Sequence, residues 1–428
     1  TAQLIVKSGG EVDPPHLSGL ADMTASLLTQ GTSGRTAPEI AQAIEALGGS
    51  LTSGAGWDAS RATVSVMSSK LTPAVGILAE VVRSPIFTEE EIERLRQQNI
   101  DGRKVALSQP GALASLVAAR VVFGDAPYGH PVAGTPESLA LIKRADIVQL
   151  YSRYYRPNNA ILVIGGDVDV DAVFNLAQRT FGEWANPPLH SPEENRGSEA
   201  GSENAPNSTS RIVVVDMPEA GQAAVVLAKR GLRRADPAYF HGLVTNAVLG
   251  GGYSARLNQE VRIKRGLSYG AFSSLSARRD VGPFTASTQT KNESAAEVAE
   301  LFVDELSRLG SLPIPDTEMI PRQAALVGDF ALNLELTDGL VAHVGSLALY
   351  GLNLGQTNTY LTDVRAVTAD EVQKFAATRL DPKQASIIIV GNAKAFMEAL
   401  RKRFSNVEII PHTELNLDGA SLRERGSQ

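Results

Sequence analysis

The chain contains no cysteine among its 428 residues. That absence excludes disulfide staples, thiolate nucleophiles and every zinc site built on sulfur. It fits an oxidising compartment better than the cytosol, while no residue pattern fixes localisation. Histidine is scarce as well. His16, His130, His190, His241, His343 and His412 include no pair four positions apart. Neither H-x-x-E-H nor H-E-x-x-H occurs, which excludes a zinc hydrolase built on a helical pair of imidazoles. No apolar run approaches the ~20 residues that a membrane-spanning helix needs. A formal charge of −7 leaves no basic surplus for nucleic acid or an anionic membrane.

What is present is an ordinary globular composition, 43% hydrophobic and 20% charged, on a chain long enough for two or more domains. Residues 186–210, NPPLHSPEENRGSEAGSENAPNSTS, carry almost no large apolar side chains. Such a stretch buries too little surface to offset its ordering entropy and reads as a flexible linker between 1–185 and 211–428. The two halves resemble each other. ADIVQLYSRYYRPNNAILVIGG from Ala145 and ADEVQKFAATRLDPKQASIIIVGN from Ala369 each give an amphipathic helix, a Pro turn and an apolar strand ending near Gly166 or Gly391. So long a period indicates a duplicated domain rather than a solenoid.

Strands are expected at 2–7, 61–67, 160–164, 211–216, 223–229, 270–276, 284–290 and 386–390. Helices are expected at 19–30, 37–47, 71–83, 89–109, 138–154, 169–181, 295–309 and 370–379. The mixture predicts an α+β fold of two homologous domains, each an antiparallel-rich mixed sheet packed with helices.

Residues 19–32, GLADMTASLLTQGT, resemble the helix that carries the inverted zinc motif of pitrilysin- and insulinase-like peptidases. There the segment reads G-L-A-H-x-x-E-H-x-x-x-x-G-T. Gly19, Leu20, Ala21, Gly31 and Thr32 stand in place, but Asp22, Ala25 and Ser26 occupy the His, Glu and His positions. The motif needs two imidazoles on one zinc and a glutamate that takes a proton from the bound water. The family's third ligand, a later glutamate, falls at Gly102 with Asp101 beside it. Three more segments are similar to the family in the expected order: LTPAVGILAEVVRSPIFTEEEIERLRQQ, PYGHPVAGTPESLALI and LGGGYSARLNQEVRIKRGLSYGAFS.

The resemblance implies two domains closing like a clamshell, no zinc in this chain, and an extra strand upstream. The chain opens at Thr1 directly into AQLIVKSG, so residues before it, with any signal peptide, are expected to be missing. It also implies roles for Arg262 and Tyr269. The matching Arg and Tyr in the family hydrogen-bond the substrate backbone and the oxyanion formed when water attacks the scissile carbonyl. From the residues alone, Asp22 is a first-turn carboxylate favoured by the helix dipole, with a metal site on Asp22 and Asp101 as the minority reading. His130 reads as a structural turn residue, and Gly250–Gly252 as a tight turn rather than a phosphate loop.

The expectation is therefore a zinc-free subunit of a heteromeric zinc metallopeptidase, acting on peptides with a zinc-bearing homologous partner. Three alternatives stand beside it: a structural protein of the same fold, a peptide-binding clamshell working alone, and a hydrolase using another metal.

Overall fold

The expected linker lies, apart from Ser210, outside the residues that the computed structural model describes, 1–185 and 210–423. Ten strands form two sheets. The first has the order β2-β3-β1-β4, from Ala2–Val6 (β1), Ser50–Ala55 (β2), Ser60–Ser65 (β3) and Ala160–Ile164 (β4), and all its pairs are antiparallel. The second has the order β10-β5-β9-β6-β8-β7. Its strands are Ile212–Asp216 (β5), Ala223–Arg230 (β6), Ser268–Leu275 (β7), Pro283–Thr290 (β8), Ser386–Gly391 (β9) and Val407–Pro411 (β10). The β10–β5 and β5–β9 pairs are parallel and the others antiparallel.

The duplication is legible in these orders. Reading β2-β3-β1-β4 against β7-β8-β6-β9 gives the same succession with the same antiparallel sense. In each, the last strand follows the repeated helix and Pro turn, Arg144–Tyr154 before β4 and Ala369–Arg379 before β9. The second sheet adds β5 and β10 beyond β9, where β4 has no strand neighbour among the described residues.

The compact units are not contiguous in sequence. One comprises Thr1–Arg103, the described residues of the first half from Pro131, and Phe330–Thr357; the other comprises Lys104–His130, the second half to Asp329, and Asn358 onward. The halves thus exchange helices. Pro110–Phe123, from the first half, covers β6 and β9 of the second sheet. Thr337–Leu349, from the second half, covers β1 and β4 of the first. A division into 1–185 and 211–428 therefore does not by itself describe the packing.

Both central strands are buried on two faces, which is why they are mainly apolar, with Gln3 in β1 and Lys229 in β6 as buried polar exceptions. In β6, Val225 and Leu227 join the core beneath the helix Ala295–Ser311. In β1, Leu4 and Val6 face a core with Met23 and Leu78, while Ile5 turns to Leu349 on the exchanged helix. Gly345 permits that approach, since a Cβ there would lie 2.7 Å from the Ile5 side chain. The single helix expected over 138–154 is instead two, Pro136–Leu141 and Arg144–Tyr154, because Asp146 accepts from the Lys143 amide and starts the second one. Among the described residues no single helix is long and apolar enough to cross a membrane.

Candidate functional site

The motif-bearing helix, Leu20–Leu27, starts where Gly19 takes φ +96°, a left-handed conformation that favours glycine. Its first amides are satisfied from outside. The Asp13 carboxylate accepts from the Gly19 amide at 2.9 Å and the Ala21 amide at 2.8 Å. Burial pushes the Asp13 carboxyl well above the usual range, against the pull of those two amides. Gly19 also lies against Gly134, which a Cβ at Gly19 would meet at 3.0 Å. Next to it, Ser138 Oγ donates to Ser18 O at 2.8 Å, and the Thr135 hydroxyl accepts from the Ser138 amide at 3.0 Å. Two family segments far apart in sequence, GLA and AGTPES, are therefore one packing unit. Their survival needs no metal.

Asp22 and Ser26 share the half-buried face of this helix, and Ala25 is buried beneath it. Strand β2 ties the face down: the Ala55 amide donates to Asp22 Oδ1 at 3.3 Å and Ser53 Oγ to Ala25 O at 2.7 Å. Burial raises the Asp22 carboxyl, while the Ala55 amide and the Arg103 cation draw it back. Gly102 and Asp101 are exposed on the helix Glu89–Leu107, and Asp101 accepts from Gln97 on its own helix at 3.1 Å. These residues do not fit zinc. One carboxylate, one hydroxyl and one methyl, with a guanidinium acting on the carboxylate, lack the two imidazoles and further carboxylate that this centre needs. Among the described residues no group of three or more His, Asp or Glu side chains is placed to hold a metal ion. His130 is buried in its turn, as expected of a structural residue.

The second candidate cluster lies in the other unit. Arg256–Asn258 runs directly into a π-helical turn, Gln259–Lys264, that carries Arg262. Such wide turns are rare and concentrate at functional sites. The turn is fastened underneath by Glu260, which pairs with Lys264 and Arg265 and lies 4.0 Å from Arg308. Burial would raise the Glu260 carboxyl, but the Lys264 and Arg265 cations outweigh it and hold it below the usual range. Half-buried Arg262 places its guanidinium carbon 4.8 Å from the centre of the Tyr253 ring. That cation–π contact restricts an otherwise mobile side chain.

Tyr269 sits on β7 beside an irregularity in the β7–β8 register between Ser268 and Ala271. The residue is 88% exposed. It borders a cavity of about 550 Å³ on the face of β6, β8 and β7, which Gly111 and Ser115 of the exchanged helix also line. Arg262 lies outside that lining. Tyr253, Phe272 and the cavity escaped the sequence reading. The available signals were the aromatic that follows the glycine triplet and the second aromatic three positions beyond Tyr269.

With this geometry in hand, comparison with known proteins gives a consistent answer. The profile described as insulinase (peptidase family M16) matches residues 1–135, and that described as peptidase M16 inactive domain matches residues 142–324. The chain belongs to peptidase family M16. A Streptomyces coelicolor protein named an uncharacterized zinc protease is 26% identical over 386 residues, covering 90% of this chain and 83% of that protein. A Helicobacter pylori protein named non-peptidase homolog YmxG is 24% identical over 400 residues, covering 91% of this chain and 88% of that one. The solved structure of a peptidase M16 inactive domain from Pseudomonas fluorescens superposes with a TM-score of 0.83 at 27% identity, over 91% of this chain and 92% of that one.

Proposed function

We propose that this M16 chain is a zinc-free, non-catalytic subunit that presents Arg262 and Tyr269 to a peptide held at a zinc-bearing partner's active site. One asymmetry carries the reading. The four ligand and base positions hold Asp22, Ala25, Ser26 and Gly102, whereas the polar donors of the other unit are kept in accessible form. A guanidinium steadied on a π-helical turn and an exposed phenol suit the charge that develops on a tetrahedral oxyanion. A scaffold with no peptide substrate has no use for either. The name non-peptidase homolog, borne by a relative, agrees with a non-catalytic role.

The test is a mixing experiment with a zinc-bearing M16 relative from the same organism, measuring hydrolysis of a quenched fluorescent peptide. The chain alone is expected to be inactive and the mixture to exceed the partner alone. Arg262→Ala or Tyr269→Phe should each lower turnover of the mixture ~100-fold, the usual cost of one oxyanion donor. A partner whose activity is unchanged by adding this chain, or by either substitution, sinks the reading.

A further inference from the structure

The cavity beside Tyr269 has a composition of its own. Its floor is Ala224 and Val226, its aromatic border is Tyr269 and Phe272, and its polar side chains are Gln222, Ser287 and Gln289 together with Ser115 and Thr288, whose hydroxyls donate to Gly111 O and Gly270 O. No lining residue carries a formal charge. Gln222, Ser287 and Gln289 are exposed, and among the described residues their side chains make no hydrogen bond within the chain. An amide offers both donors and acceptors, so these groups can satisfy a peptide bond or a neutral polar side chain from either end. They offer no counter-ion to a carboxylate or an ammonium. A charged side chain laid there would be partly desolvated without compensation.

Strand geometry adds a spacing. Ser287 lies opposite both Phe272 and Val226, and Gln289 lies opposite Ala224, so two adjacent rows of side chains cross the sheet. Ser287 and Gln289 are two residues apart on one strand, roughly 7 Å, the repeat of an extended peptide. Simple strand addition at the β7 edge is blocked, because the Ala271 amide donates to Asn258 Oδ1 at 3.1 Å and the Ser273 amide to Gly250 O at 3.0 Å. A ligand must therefore lie across the face, engaged through side chains. The volume of about 550 Å³ is enough for a short peptide segment rather than a single side chain.

We infer that this cavity is a specificity subsite that takes an extended, uncharged peptide segment, Ser, Thr, Asn or Gln alternating with apolar residues, and rejects charged ones. The inference rests on the reading of Tyr269 as substrate-facing, but its test needs no partner subunit.

The experiment is fluorescence anisotropy of the full chain with dye-labelled, end-capped decapeptides: a neutral one of Ala, Ser, Gln and Leu, and copies in which two central residues are Lys or Glu. The neutral peptide is expected to bind about tenfold tighter than either charged copy. Gln289→Glu should shift preference toward the Lys peptide, and Gln289→Lys toward the Glu peptide. Gln289 is exposed, so both variants should keep the wild-type melting temperature, which is checked alongside. Equal binding of all three peptides, no binding of any, or charge variants that leave the ranking unchanged would overturn the inference. Intact peptide preference together with no stimulation of a zinc-bearing partner would overturn the subunit reading alone, so the two failures are distinguishable.

Discussion

Single residues explain what holds the motif-bearing helix in place without a metal ligand among them. Gly19, Gly134, Thr135 and Ser138 hold one another, and Asp13 closes the start of the Leu20–Leu27 helix through two amides. Removing those bonds by Asp13→Ala leaves buried N–H groups without partners. A lost helix cap typically costs ~1–2 kcal/mol, so the variant should unfold at a lower urea concentration than the wild type. An unchanged midpoint would show that Asp13 does not anchor the helix. At this scale the sequence was informative where chemistry is specific. In any fold Ala25 offers no donor atom, and neither Asp22 nor Ser26 offers an imidazole. The contact between Arg262 and Tyr253 was invisible, because nothing in a linear pattern says that a π-helical turn brings position 262 back over position 253.

Elements were legible in proportion to their periodicity. Strand β4 has its expected limits, and β1, β6 and β9 differ by a residue, since each is an apolar run closed by a turn. Strand β2 was missed because SLTSGA has one β-branched residue, Thr52, among mostly small ones, and it forms because β3 pairs along its whole length. The helix Pro110–Phe123 was missed for the opposite reason. PGALASLVAARVVF is apolar almost all round, as befits a helix buried on a sheet, so no amphipathic stripe marks it. Within β6, Lys229 breaks the apolar run yet is buried, with Nζ 3.4 Å from both Asp381 O and Gln384 Oε1. Burial pulls its pKa down from 10.5 to about 8. Between those values the unfolded chain holds a proton that the folded chain has released, so folding stability rises with pH across that window. Denaturation of wild type and Lys229→Met at pH 7 and pH 10 should show the wild type gaining on the variant at the higher pH. A constant difference would mean that Lys229 is charged and solvated in the fold.

At the scale of the molecule, the duplication could be read from Ala145 and Ala369, but the exchange of helices could not. Sequence similarity reports ancestry, whereas the helix that covers a sheet is chosen by whichever apolar face the connection delivers. Without Thr337–Leu349, the face of β1 and β4 that carries Ile5, Ile161 and Val163 lies open. Residues 1–185 made alone should therefore bind a hydrophobic dye and self-associate, and co-expression with 210–428 should suppress both. A monomeric, dye-silent 1–185 fragment would contradict the exchange.

The same exchange sets a schedule for synthesis. Strand β4 ends at Ile164, but the helix that shields it ends at Leu349. At ~5–20 residues per second, ribosomes need roughly 10–40 s to bridge that gap. For that interval the nascent chain displays a finished but uncovered apolar sheet, a natural client for a ribosome-associated holdase. Codon choice between positions 165 and 349 then becomes a determinant of yield, because every pause there prolongs the exposure.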